Sequence, residues 1–440
     1  MIRIMFIAAV LIVIGGGVFL VSCGETARFA EEAGYGRSPA LPEPRETLLP
    51  TVNIAPARGW PDGGLPVPAD GLAVAPFASD LDHPRWIHVL PNGDVLIAES
   101  NAPANPPIGG IVGFIERRVM ERAGARTPSA DRITLLRDSD GDGVVETRTV
   151  FLENLHSPFG MALVDGTLYV ANTNAVVAFP YEDGQTRIEA EGTTLTELPA
   201  GPINRHWTKN LIASEDGEHL YVAIGSNSNI AENGLEAEEG RAAIWEIDRA
   251  TGEHRIFASG LRNPVGMDWE PESGILWTAV NERDELGSDL VPDYMTSVEA
   301  GDFYGWPWSY FGTRVDTRVE PARPDMVERA MVPDYALGAH TASLGLVFAD
   351  QSGLGPRWQS GVFIGQHGSW NRVPHSGYKV IYIPFAGGEP TGGPIDVLTG
   401  FLDEDGNALG RPVGVEFDRT GALLVADDVG NIIWRVTRSE

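Results

Sequence analysis

Apolar residues in this chain come mostly in runs of four to six that stop at a glycine-bearing turn and resume beyond it. That length suits strands and falls short of an ordinary helix. One unit recurs six times: a Leu or His, a Pro or small residue, an apolar run, a turn with Gly, and a second alternating apolar run. The copies open at Leu81–Trp86, Leu155–Met161, His206–Leu211, Leu261–Met267, Ala339–Gly345 and Gly410–Val415, the fifth being the loosest. Their turns carry Gly93, Gly166, Gly217, Gly274, Gly361 and Gly421, and their second runs are Val95–Ala98, Leu168–Ala171, Leu220–Ala223, Leu276–Ala279, Val362–Gly365 and Leu423–Ala426. Successive turn glycines lie 51 to 87 residues apart, room for a four-stranded sheet plus insertions and too long and irregular for a solenoid. The pattern predicts an all-β, six-bladed β-propeller over residues 76–440, with the first apolar run of each copy as the inner strand of a blade.

The N-terminal part reads differently. Arg3, the apolar stretch Ile4–Leu20 and the string Leu20-Val21-Ser22-Cys23-Gly24 form a lipoprotein signal over residues 1–22, with Cys23 as the lipidated first residue of the mature protein. An uncleaved membrane anchor is the alternative reading of the same run. Both place the body outside the cytoplasm, at the periplasm or cell envelope, and tie it to a membrane surface. Residues 23–75 are studded with proline and lack apolar periodicity, which predicts an extended tether that packs on the first blade.

Composition narrows the partners. Gly 52 and Pro 32 fit many short strands and tight turns, and a single cysteine excludes an intramolecular disulfide. A formal net charge of −29 repels phosphate backbones, so nucleic acid is not expected as a partner. No Gly-rich phosphate loop, paired-Cys zinc site or nucleophile elbow is present. His219, His254 and His375 read as surface or turn residues.

In a propeller, equivalent positions of successive repeats ring the axis. The residues ahead of the inner strands are His83, His156, His206, Arg262 with Asn263, His340 and Arg411. Guanidinium groups match carboxylates bidentately, and a neutral imidazole accepts a proton, so the set suits an anionic, carbonyl-bearing planar ligand. Separately, Asp138, Asp140, Asp142 and Glu146 stand at positions one, three, five and nine of a loop with Gly143 at six, the order of a calcium loop. Thr149 at position twelve excludes an EF-hand, leaving a calcium-bound hairpin loop or a metal-free Asp/Gly turn.

From about Leu81 to Arg435 the chain resembles the sorbosone dehydrogenase branch of the soluble quinoprotein glucose/sorbosone dehydrogenases. The strings that carry the resemblance are Gly260-Leu261-Arg262-Asn263-Pro264, Asn281-Glu282-Arg283-Asp284-Glu285-Leu286-Gly287, Phe303-Tyr304-Gly305-Trp306-Pro307, His367-Gly368-Ser369-Trp370-Asn371-Arg372 and Gly410-Arg411-Pro412-Val413-Gly414. It implies a dehydrogenase of an aldose, sorbosone-like aldehyde or polyol that uses pyrroloquinoline quinone and Ca²⁺ and passes electrons to an external quinone or cytochrome. It further implies His206 as general base, Arg262 and Asn263 on the quinone, and Arg411 on a cofactor carboxylate. Calcium is expected on the cofactor at Asn281 and Glu282, through backbone carbonyls. The glucose-oxidising members carry a second close arginine in blade six and a lysine in blade five. Here Arg411 lacks that partner, and His367 or Arg372 stands in the lysine's place, with His340 also expected at the cofactor. Two other readings are a calcium-dependent lactonase or hydrolase, and a non-catalytic propeller that binds sugars or partners.

Overall fold

In the computed structural model, residues 25–45, 51–103, 118 and 120–439 are described; the signal and Cys23 lie outside them. Six antiparallel sheets carry the fold, each led by an inner strand: Pro84–Val89, Met161–Val164, Leu211–Ala213, Pro264–Trp269, Ser343–Phe348 and Pro412–Phe417. These fall on the six repeat units, and we number the blades one to six in that order. The second strands run Val95–Glu99, Thr167–Ala171, His219–Ile224, Leu276–Val280, Gly361–Gln366 and Leu423–Asp427. They are buried almost throughout, without the polar alternation expected of them, because each blade is covered on both faces by its neighbours.

Glycine sets how closely the inner strands approach. A Cβ on Gly160 of blade two would sit 2.2 Å from Leu211 N of blade three, and one on Gly345 of blade five would sit 2.3 Å from Val413 O of blade six. Only glycine lets the backbones meet there. On the axis, Trp86, Val265, Leu344 and Val413 from four inner strands join Phe159 and Trp207, just ahead of the other two, in one apolar cluster. Side chains from blades on opposite sides of the ring meet only across the axis, so this cluster plugs the channel.

The ring closes through the N-terminal part. Leu72–Ala78 pairs along Ile432–Arg438 as the outermost strand of blade six, so the propeller begins a few residues ahead of 76. The rest of the described proline-rich segment touches blade one at its insertion, where Ala57 N donates to Arg122 O at 2.9 Å, but pairs as strand with other blades. Tyr35–Gly36 adds to the outer edge of blade four and Val67–Pro68 to that of blade five. Those outer strands offer unpaired backbone donors and acceptors, which an extended segment of any sequence satisfies. Among the described residues no helix is long and apolar enough to cross a membrane.

Candidate active site

The loops that lead into the inner strands all open at one end of the ring, here called the mouth. His206, Arg262 and Arg411 each precede an inner strand and share that end. A recurring latch fixes these lead-in loops. The polar residue at or just after the end of a second strand accepts from a backbone N–H ahead of the inner strand: Asn172 Oδ1 from His156 N at 3.1 Å, Asp427 Oδ1 from Arg411 N at 2.8 Å, and Glu99 from Asp82 N. His83 and His340 adopt φ of 58° and 60°, a region non-glycine residues seldom occupy, which marks the backbone as held by its surroundings.

Two carboxylates organise the mouth, Asp428 buried and Asp284 partly so. Asp284 accepts from Asn371 Nδ2 at 2.7 Å and Arg262 Nη2 at 3.3 Å and lies 3.5 Å from His340 Nδ1, joining blades four and five. Burial opposes its ionisation, but His340 and Arg262 outweigh that and hold the carboxyl at about 2. Asp428 lies 2.9 Å from His367 Nε2 and 3.6 Å from His83 Nε2 and is hydrogen-bonded by Arg85, joining blades five, six and one. Here too burial works against ionisation, and His367, His83 and Arg85 together hold the carboxyl far below the usual range. The blade-five loop connects the two centres, since His367 reaches Asp428 while Asn371 reaches Asp284.

His206 stands beside the Asp284 centre. Its Nδ1 meets Ser226 O and Ser226 Oγ, each at 2.9 Å, which leaves Nε2 as the free ring nitrogen. Burial, reinforced by the charge of Arg262, lowers its pKa well below 6.5, so the imidazole is neutral at physiological pH. Gly225 brings His206 and Asn263 together: a Cβ there would come 2.5 Å from His206 Cβ and 2.2 Å from Asn263 Oδ1. Asn263 Oδ1 is buried and has no partner.

Arg262 is enclosed by oxygen. Its guanidinium donates to Glu282 O at 2.7 Å, Asn229 Oδ1 at 2.9 Å, Asn281 O at 3.3 Å and Asn229 O at 3.3 Å. The Asn281 and Glu282 carbonyls therefore do converge on a positive group. An all-oxygen set of this kind is also the donor chemistry of a hard cation such as calcium. The Glu282 side chain points elsewhere, into a fully buried ion pair with Arg283 at 3.0 Å. Trp306, from the insertion in blade four, donates to Asn229 O at 3.0 Å, which ties the Phe303–Pro307 string to the same residues.

Arg411 lies under the N-terminal segment. Its Nη2 donates to Ala55 O at 3.0 Å and its guanidinium carbon is 5.3 Å from the centre of the Tyr378 ring. Arg85 runs over the axial plug, 5.8 Å from the Trp207 ring centre. The charges of Arg85 and Arg411 both add to the burial that lowers His367 to about 4. Both Nε groups are buried without an acceptor. This cluster thus holds spare donor capacity for an anionic, carbonyl-rich ligand.

Other residues lie apart from these centres. Arg372 donates to Pro374 O at 3.1 Å and Phe29 O at 3.3 Å, facing the N-terminal segment. His156 is exposed and lines a surface cleft between blades one and two with Arg187 and Glu189. The carboxylate oxygens of Asp138, Asp140, Asp142 and Glu146 gather within 4.8 Å of one another, between strands Arg132–Arg137 and Thr147–Leu152. Asp284, Asp428, Arg85 and Asn229 escaped the sequence reading. Asp284 sits inside a motif already singled out, and Arg85 was hidden within an apolar run.

Fold and mouth together define a six-bladed propeller with imidazole, guanidinium and amide groups gathered at one end of the axis around two ionised carboxylates. A family model described as TrAA12-like matches residues 129–298 and 324–439, and the chain belongs to that family. It is 28% identical over 306 residues to an uncharacterized protein of Borreliella burgdorferi, covering 67% of this chain and 79% of that one. It is 24% identical over 433 residues to the pyrroloquinoline quinone-dependent pyranose dehydrogenase of Coprinopsis cinerea, covering 84% of this chain and 54% of the relative, about half its length. The holo form of that enzyme's quinone domain superposes with a TM-score of 0.69 at 20% identity, over 88% of this chain and 100% of that one. A calcium structure of a Trichoderma reesei family AA12 enzyme gives a TM-score of 0.69 at 19% identity, over 88% and 98% of the two chains.

Proposed function

We propose that this protein is a quinoprotein sugar oxidoreductase of the cell envelope, using pyrroloquinoline quinone and calcium to oxidise an aldose, a sorbosone-like aldehyde or a related polyol. The observation that carries the reading is a neutral, partly buried His206 sharing Gly225 with Asn263, beside Arg262. When bound, the quinone supplies a two-electron acceptor that takes hydride from the substrate carbon.

The residues of the chain do the rest. His206 Nε2 accepts the substrate hydroxyl proton, and Ser226 fixes the ring orientation in which that nitrogen faces outward. Arg262 and Asn263 bind the quinone carbonyl side and stabilise negative charge that develops there. Arg411 and Arg85 hold carboxylates of the cofactor, so the second arginine that blade six lacks comes from blade one. His367 and His340 orient this network through Asp428 and Asp284, while Asn281 and Glu282 offer carbonyl oxygens to calcium. Arg372 supports the blade-five loop from the side of the N-terminal segment. The loop Asp138–Glu146 takes a second, structural calcium. Cys23 carries the lipid anchor, and the electron acceptor is an external quinone or cytochrome.

The test is reconstitution. The apoprotein is incubated with calcium and pyrroloquinoline quinone, freed of excess by gel filtration, and offered a panel of aldoses with a redox dye. Retained quinone absorbance and dye bleaching are expected. A column fraction without quinone absorbance, and no bleaching with any sugar, would overturn the reading.

A further inference from the structure

We infer that the mouth of the propeller faces a lipid bilayer, with Phe29 and Trp370 seated at its interface. The inference concerns orientation and does not depend on the redox chemistry. It follows from where the first described residues lie. Glu25 N donates to Thr51 Oγ1 at 3.0 Å, and Ser288 Oγ donates to Glu25 O at 2.6 Å. Ala27 N then donates to Val373 O at 2.7 Å, and Arg28 N to Asp289 Oδ2 at 2.8 Å. Residues 288–289 belong to the blade-four loop that carries Asp284, and Val373 to the blade-five loop that carries His367 and Asn371. The segment is therefore stitched to the rim of the mouth from its first described residue onward.

Cys23 precedes Glu25 by two positions, a reach of about 7 Å at full extension. An acyl chain on Cys23, or an uncleaved apolar anchor at Ile4–Leu20 five positions before Glu25, ties the chain to the membrane next to this rim in either case. So short a link leaves no slack to turn the other end of the propeller to the membrane.

A second observation is independent of the anchor. Among the described residues the exposed large aromatic side chains are Phe29 and Trp370, each 44% exposed. Both are on this rim. Phe29 O accepts from Arg372 Nη2 at 3.3 Å, Trp370 O accepts from Asn53 N at 2.7 Å, and Asn53 Nδ2 donates to Arg372 O at 2.8 Å. Aromatic rings at the water boundary of a bilayer are the usual interfacial anchors. A net charge of −29 gives no general attraction to an anionic surface, so the contact rests on apolar side chains and is not weakened by salt, which screens the repulsion.

The test uses the full chain, exported and acylated in a bacterial host and reconstituted into phosphatidylethanolamine/phosphatidylglycerol vesicles containing a doxyl-labelled lipid. The only native cysteine is consumed by acylation, so single substitutions Phe29→Cys, Trp370→Cys and Glu272→Cys accept an environment-sensitive fluorophore; Glu272 is exposed at the far end of blade four. Quenching several-fold stronger at positions 29 and 370 than at 272, and not reduced by salt, is expected. Equal quenching at all three positions, no quenching at 29 and 370, or recovery of the full chain outside the membrane fraction would overturn the inference. These readouts need neither cofactor nor turnover. Docking without quinone uptake would sink the redox proposal alone, and turnover without quenching would sink the orientation alone.

Discussion

Asp284 and Asp428 at the mouth and Asp268 and Glu416 at the far end of the axial channel answer desolvation in opposite ways. At the mouth, Asp284 is held at about 2 and Asp428 lower still, each beside imidazole and guanidinium groups. At the far end, burial raises Asp268 to about 7 and Glu416 to about 8, the latter with help from Asp268 itself. Those two accept backbone N–H groups, from Phe348 at 2.7 Å and Phe417 at 2.9 Å, and form no ion pair among the described residues. Desolvation acts to raise all four. Cationic partners decide whether the carboxyl is ionised: Asp284 and Asp428 have them and hold charge, whereas Asp268 and Glu416, like Asp427 and Asp293 at the mouth, are pushed up by burial.

The largest expected effect tests the mouth as a place of proton transfer. His206→Asn is expected to keep quinone on the protein while lowering turnover by about 10²–10⁴-fold, read by steady-state kinetics. In the wild type, the low pKa of His206 places the acid limb of kcat/KM below pH 6.5. Normal turnover in the variant, or an acid limb above that pH, would move the base elsewhere.

Next comes the charge balance itself. Asp428→Asn leaves Arg85 and His367 without their shared anion. Breaking a buried pair costs about 3–5 kcal/mol, so denaturant unfolding is expected to show a loss of that order. A neutral result would mean the mouth does not need its anion.

Gly225→Ala is expected to cost about 1–3 kcal/mol and to lower turnover, because the added methyl meets Asn263 and His206 head-on. Retained activity at full stability would show that the two side chains can part without consequence.

The smallest effect is at the far end. Asp268 and Glu416 bind protons more tightly folded than unfolded, so their contribution is complete below about pH 4 and is lost as pH rises through about 7 and 8. Glu416→Gln is expected to raise the melting temperature by about 2–4 °C at alkaline pH and to change it little in acid. The same gain at both pH values would remove the contrast between the ends.

The sequence announced much of this architecture and stopped at contacts between blades. Apolar runs between turn glycines located all six second strands to within a residue or two, because burial on both faces writes an unbroken apolar string. The lead-in positions gave His206, Arg262 and Arg411 because the repeat places them at one end. Asp284 and Asp428 were not legible. Each earns its role from groups on other blades, and Asp428 meets His83 and His367 only once the ring has closed. The paths of residues 25–45 and 51–68 were equally hidden, since edge pairing uses backbone groups that every residue possesses.

The strand Leu72–Ala78 precedes every blade in the chain yet finds its partner in Ile432–Arg438, at the other end. In a protein exported N-terminus first, this strand leaves the translocation channel early and waits, unpaired, for nearly the whole polypeptide to follow. If the chain crosses the membrane unfolded, as proposed for an envelope protein, the ring would be completed only on the far side, and a chain cut short before Ile432 would leave that strand without its ladder.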